Sequence, residues 1–231
     1  FRNKPWPEPA RRYAAMVNLL DRQVGQILAL LTELGLEDKT LVMFSGDNGG
    51  ADYFVTPEFP RGVHSANKDP RTGVEFRGKK GQLYEGGIRV PVAARWPGRI
   101  APGRVSDHLW YFPDILPTIA ELCGAKAPAD IDGLSLLPEL IGESDAGRRQ
   151  EKHEYLYWEF YEQGVSQAVL LDGRWKAMRL RQASAPIELY DLKADLAEKP
   201  DVAAQHPELV ARAAALFRSA RQDNEHWKIA R

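Results

Sequence analysis

Between Tyr13 and Leu34 the apolar residues Tyr13, Met16, Val17, Leu20, Val24, Ile27, Leu28, Leu31 and Leu34 recur at intervals of three and four. After Gly35 an unbroken apolar run, Thr40 to Phe44, begins five residues later. The first pattern is one stripe of an amphipathic helix, with a proline-rich lead-in and a glycine stop. The second is too short for a helix and has the bulky, continuous character of a strand buried on both faces of a parallel sheet. Helix, tight turn and buried strand in that order predict an α/β fold.

The apolar run ends in Ser45-Gly46-Asp47-Asn48-Gly49-Gly50. In open α/β sheets ligands bind outside the carboxyl ends of the strands, which is where Asp47 and Asn48 fall. A carboxylate beside an amide oxygen offers hard donors suited to a divalent cation. The same four residues, Asp-Asn-Gly-Gly, are also ordinary turn chemistry, and on this stretch alone a plain turn is the commoner occupant. From Gly49 to Arg77 runs a long polar segment with Pro57, Pro60, Gly62, Pro70 and Gly73, longer than an ordinary connection.

A second strand is predicted at Val92 to Trp96 and a helix at Pro113 to Leu122, with proline in its first turn. Beyond the Gly- and charge-rich patch Gly142 to Lys152 the texture changes. Short strands are predicted at Tyr155 to Tyr161, Gln167 to Leu171, Trp175 to Leu180 and Ile187 to Leu192, with Asp172-Gly173 as a hairpin turn. Leu209, Ala213, Leu216, Phe217 and Ala220 mark a closing helix over Pro207 to Trp227. The expected organisation is an α/β part over residues 1–144 and a small α+β unit, an antiparallel sheet with a terminal helix, over 145–231.

Composition narrows the functions. Among 231 residues, 31 Lys+Arg stand against 32 Asp+Glu, a formal charge of -1. That balance argues against nucleic acid held by bulk electrostatics, so any anion selectivity is local. The single cysteine, Cys123, can form no internal disulfide, and in the apolar stretch Ile119 to Gly124 it is expected to be a buried structural thiol. No apolar run reaches membrane-spanning length. The first residues lack a signal-peptide core and the chain begins at Phe1, so a processed or truncated N-terminus is expected.

Local anion chemistry has one clear candidate, the segment Phe76 to Pro91. There Gly78, Gly81, Gly86 and Gly87 interleave with Arg77, Lys79, Lys80 and Arg89. Glycines let main chain approach a ligand, and lysine is a compact charge suited to sulfate or phosphate. A solvated basic loop has the same composition.

Taken together these residues resemble the sulfatase family of the alkaline-phosphatase-like superfamily, over nearly the whole chain. The matching motifs are the helix with Leu20-Asp21-Arg22-Gln23-Val24-Gly25, Asp47-Asn48-Gly49 after a strand, and Gly78-Lys79-Lys80-Gly81 followed by Tyr84-Glu85-Gly86-Gly87 and Arg89-Val90-Pro91. Asp114-Ile115-Leu116-Pro117-Thr118, Asp132-Gly133 and Glu188-Leu189-Tyr190-Asp191-Leu192 continue the agreement.

The resemblance implies an alkaline-phosphatase-like, mostly parallel sheet sandwiched by helices, and hydrolysis of sulfate esters, aryl or carbohydrate. It makes Asp47 and Asn48 ligands of Ca2+ and Lys80 the cation that holds the sulfate, with Arg89 bracing the loop and Glu85 pairing a basic neighbour. His64 is a weaker candidate for reaching substrate or protonating a leaving group. A periplasmic, secreted or lysosomal parent protein is implied. The family's formylglycine arises in a Cys/Ser-x-Pro-Ser-Arg motif that this sequence lacks, as it lacks the aspartate pair expected near the first strand. The expectation is therefore a C-terminal sulfatase portion, inactive alone, whose apolar surface is covered by a missing N-terminal half or by self-association. Two readings compete with it. One is a phosphatase or phosphonate hydrolase of the same superfamily, although Asn48, where those relatives commonly carry histidine, favours a hard cation. The other is a non-catalytic, degenerate binding module.

Overall fold

The computed structural model describes residues 1–51, 55–58, 68–162, 164–223 and 225–226. The chain divides into two compact units. One comprises Phe1, Ala14–Ser45 and Pro91–His153; the other comprises Arg2–Tyr13, Gly46–Val90 and Glu154–Arg231.

Helix α1 (Glu8–Glu33) covers the periodic stripe and begins earlier than Tyr13. No residue of α1 is buried, and Met16 and Ile27 are 66% and 57% exposed. In the first unit, strand β1 (Val42–Ser45) pairs antiparallel with β2 (Val92–Arg95), aligning Phe44 with Ala93 and Ser45 with Val92. The fold class is α/β as expected, but β1 is not buried on both faces: Phe44 is 43% exposed, and β2 is its one partner among the described residues. A run of apolar residues reports that a strand is suited to burial, not which strands flank it.

Helix α3 (Ile115–Leu122) follows a turn of 3-10 helix at Phe112–Asp114, and Cys123 at its end is exposed rather than buried as expected. Asp114 is fully buried and its carboxylate accepts main-chain N–H bonds from Tyr111 (3.0 Å) and Leu134 (2.8 Å), with His153 Nε2 at 2.9 Å. Thr118 Oγ1 donates to the Asp114 carbonyl at 2.6 Å and accepts the Leu136 N–H at 2.8 Å. These bonds seat the Asp132-Gly133 turn on the helix start. Two short helices, α4 (Leu137–Ile141) and α5 (Glu143–Ala146), close the unit.

The second unit is built on an antiparallel sheet in the order β3-β4-β5-β6, namely Tyr155–Phe160, Ser166–Leu171, Trp175–Arg179 and Glu188–Asp191. Asp172 and Gly173 both take positive φ (51° and 63°), and the Arg174 N–H closes the tight turn on the Leu171 carbonyl where the dipeptide predicts a hairpin, with Leu171 paired to Trp175. Helix α6 (Pro207–Ser219) ends before the expected Trp227, which lies outside the described residues. On one sheet face Val169, Leu171, Ala177 and Leu189 pack with Ala213 and Phe217 of α6. All six residues of β4 are buried, so the opposite face is covered as well. Strand parity puts Lys176 and Tyr190 on that opposite face, where they meet the segment around the short helix α2 (Glu85–Ile88).

Candidate anion and metal site

Asp47 comes after Gly46 at the end of β1, and Asn48-Gly49-Gly50 is tied to the glycine-rich segment by main chain. The Gly49 N–H donates to the Gly87 carbonyl and the Lys80 N–H to the Gly50 carbonyl, each at 2.9 Å. The approach demands glycine: a Cβ on Gly49 would lie 1.8 Å from the Gly86 carbonyl oxygen, and one on Gly87 would lie 2.0 Å from that of Gln82. Gly78 and Gly81 both have φ of +83°, a region open to glycine at no steric cost. The spacing of glycines in the sequence is therefore a requirement for two loops to touch.

The structure thus brings the main chain of Gly49, Gly50 and Lys80 together. The Asp47 and Lys80 side chains are both exposed, and no ion pair joins them among the described residues. Asn48 Nδ2 donates to the Gly49 carbonyl at 2.9 Å, leaving Oδ1 as the amide's free donor oxygen. A carboxylate and an amide oxygen on adjacent residues fit a calcium shell, which takes roughly six to eight oxygens. They are part of one only: among the described residues no group of three or more His, Cys, Asp or Glu side chains could hold a metal. His64 lies outside the described residues.

Behind the glycine-rich turn is a buried ionic cluster. Glu85 pairs with Arg89 Nε at 2.6 Å and with Lys176 Nζ at 2.8 Å. Lys176 Nζ also lies 2.9 Å from Oε1 of Glu198, close enough for charge pairing, although that oxygen receives no hydrogen bond of proper geometry. Glu198 Oε2 accepts the Glu85 N–H at 2.7 Å. Arg77 stacks 4.0 Å over the Tyr84 ring and donates to Tyr190 Oη (3.0 Å) and the Glu198 carbonyl (2.8 Å). Burial raises the Glu85 carboxyl, but the charges of Lys176 and Arg89 outweigh it and hold the group below its ordinary value. Burial and the neighbouring Glu85 push Glu198 the other way, above its ordinary value, against the pull of Lys176. Burial, with the Glu188 carboxylate beside it, pushes the Tyr84 phenol up to about 12.

The pairing of Glu85 and the bracing role of Arg89 follow the sequence expectation. Lys176 and Glu198 belong to no motif of the sequence, because they meet Glu85 from 91 and 113 positions away.

Two family models match this chain, one described as Sulfatase over residues 2–125 and one as N-sulphoglucosamine sulphohydrolase, C-terminal, over residues 77–219. The chain belongs to the sulfatase family. Among curated sulfatases it is 42% identical to Steryl-sulfatase of Mus musculus over 63% of this chain and 22% of that protein. It is 33% identical to Sulfatase of Formosa agariphila over 84% of this chain and 36% of that protein. The crystal structure of Ps i-CgsB in complex with k-i-k-neocarrahexaose superposes with a TM-score of 0.74 at 27% identity, covering 94% of this chain and 44% of that one. The chain thus spans between about a fifth and just over a third of the length of these curated sulfatases. The Sulfatase match includes Asp47 to Arg89, so both candidate loops lie inside it. The fold is the alkaline-phosphatase-like α/β fold of its sulfatase neighbours. Among the described residues no helix is long and apolar enough to cross a membrane.

Proposed function

We propose that this chain is the C-terminal part of a sulfatase that hydrolyses sulfate esters, in which Asp47 and Asn48 give oxygens to Ca2+ and Lys80 holds the sulfate. In this reading residues 1–144 complete the catalytic α/β domain and 145–231 form its C-terminal subdomain. The observation that carries it is the pair of main-chain bonds, Gly49 to Gly87 and Lys80 to Gly50, which seats the lysine loop on the Asp-Asn-Gly loop. A cation fixed there stabilises negative charge that builds on the ester oxygens as the bond to sulfur breaks. Calcium, when bound, neutralises charge on the sulfate. In this reading Asp47 and Asn48 would hold the cation, Lys80 pairs with the anionic oxygens of the ester, and His64 is the weaker candidate for protonating a leaving alcohol.

The sequence has no Cys/Ser-x-Pro-Ser-Arg motif, so the formylglycine nucleophile is assigned to a longer polypeptide and the chain alone is expected not to turn over. The similarity to Arylsulfatase A of Homo sapiens, at 36% identity, and to a structure holding a carrahexaose supports an aryl- or carbohydrate-type alcohol. Phosphonate Monoester Hydrolase of Agrobacterium radiobacter shares the fold at 24% identity and a TM-score of 0.64. Asn48, a hard oxygen donor in place of a histidine, favours the sulfate reading over that one.

The test is kinetic, on the natural polypeptide with an aryl sulfate. Lys80→Ala is expected to lower kcat/KM by about 10²-fold or more, and Asp47→Ala to remove the dependence on calcium. Unchanged kinetics in both variants, or faster turnover of a phosphonate ester than of the sulfate, would refute the assignment.

A further inference from the structure

Lys176 is fully buried between two carboxylates, Glu85 at 2.8 Å and Glu198 at 2.9 Å. Stability alone does not explain such a cluster. Removing three charges from water costs about as much as their pairing returns, and a well-packed apolar trio would cover a sheet face at least as well. What an ionic cluster adds is direction, because each member must face its partner.

The Lys176 ammonium pairs with the two carboxylates, and it is Glu198 and the neighbouring Arg77 that join them to the main chain of the candidate site. Glu198 Oε2 accepts the N–H of Glu85, the first residue of α2, at 2.7 Å. The Arg77 side chain holds the Glu198 carbonyl at 2.8 Å, while the Arg77 carbonyl accepts the Gly86 N–H at 2.7 Å. Glu198 itself adopts φ of 53°, a left-handed conformation that a non-glycine residue keeps only where its surroundings hold it. From Glu85 the turn runs to Gly87, whose carbonyl takes the Gly49 N–H, and Lys80 closes the circuit on Gly50.

We propose that Lys176 is a positioning residue, which from inside the C-terminal sheet fixes the Glu85–Gly87 turn and thereby the spacing between the Asp47-Asn48 loop and Lys80. Its consequence for sulfate rests on the function proposed above; its consequence for the main chain does not.

Residue-resolved amide hydrogen exchange reads the main chain directly, with Val169 in β4 as internal reference. In Lys176→Met, exchange at Gly49 and Lys80 is expected to accelerate about tenfold while Val169 stays within about twofold. Lys176→Arg, which keeps the charge, is expected to return both amides to within about threefold of the unsubstituted protein. In the natural polypeptide, kcat for an aryl sulfate should fall about tenfold in Lys176→Met, together with weaker calcium binding measured by titration, and recover in Lys176→Arg. No acceleration at Gly49 and Lys80, or equal acceleration at Val169, overturns the proposal. Should Lys176→Met not fold, Glu198→Gln serves. It keeps an acceptor for the Glu85 N–H but removes one charge partner of Lys176, and should accelerate the same two amides about threefold; no difference there counts equally against the proposal. Selective acceleration in a polypeptide that hydrolyses no sulfate ester would uphold the positioning role and sink the proposed function.

Discussion

At Gly49 one hydrogen atom in place of a methyl decides whether two loops can meet. A Cβ there would stand 1.8 Å from the Gly86 carbonyl oxygen, a main-chain atom that cannot rotate away. In Gly49→Ala the loops must part, the bond to Gly87 is lost, and under the proposed function kcat/KM for a sulfate ester should fall about 10²-fold. The β3–β6 sheet should keep its amide protection, which separates loss of the site from loss of the fold. The charges behind the turn predict a pH effect. Glu85, held below its ordinary value of 4.5 by Lys176 and Arg89 against burial, stabilises the fold above that value and ceases to as pH falls through its folded one. Glu198, raised by burial and by Glu85 against Lys176, contributes fully below 4.5 and loses its contribution as pH rises through its folded value. On acidification the two act in opposite directions. Removing the second in Glu198→Gln should make stability fall more steeply with decreasing pH, measured by urea unfolding at a series of pH values. A parallel pH dependence in the two proteins would contradict these assignments.

Helix α6 holds its sheet face through Phe217, which is buried against Val169, Leu171, Ala177 and Leu189. Phe217→Ala removes that side chain from a close-packed site and should cost about 3–5 kcal/mol in denaturant unfolding. A loss under about 1 kcal/mol would mean that the helix is not anchored there. The elements themselves were legible because their periods are local: the spacing of three and four in α1 and α6, alternation in β3 to β6, and Asp172-Gly173 between two strands. Partners were less legible. The sequence shows that Thr40 to Phe44 suits burial but not that β2 runs antiparallel beside it. The glycine-rich segment could be read as a ligand loop, since glycines and lysines stand together in sequence. Lys176 could not, because it bonds Glu85 across 91 positions and a strand lysine looks like any polar residue of an alternating pattern. The same distance explains the grouping of Gly46–Val90 with Glu154–Arg231. The change of texture near residue 145 marks where the antiparallel strands begin, and bonds such as that from Glu85 N–H to Glu198, 113 positions apart, leave no trace in composition.

Large apolar side chains on several elements of the chain meet water: Met16 and Ile27 on α1, Phe44 on β1, and Leu116 and Ile119 on α3, the last two 54% and 51% exposed. Single exposed apolar residues are ordinary, but a helix of 26 residues with an apolar stripe and no buried residue has found no cover within the described chain. Such surfaces mark contacts with other protein or drive aggregation. Under the proposed function the cover is the remainder of a longer polypeptide, and a chain studied without it should cover the same faces with another copy of itself. Sedimentation at increasing concentration should then show association, and Met16→Lys with Ile27→Lys should weaken it about tenfold, since each charge would have to be desolvated at the contact. Both substitutions are on α1, so Phe217 burial and Val169 exchange should be the same in both proteins. Association that survives both lysines would assign the contact to a face other than the α1 stripe. A monomer at all concentrations, with the stripe still open to an apolar dye, would show that exposure on this scale needs no partner.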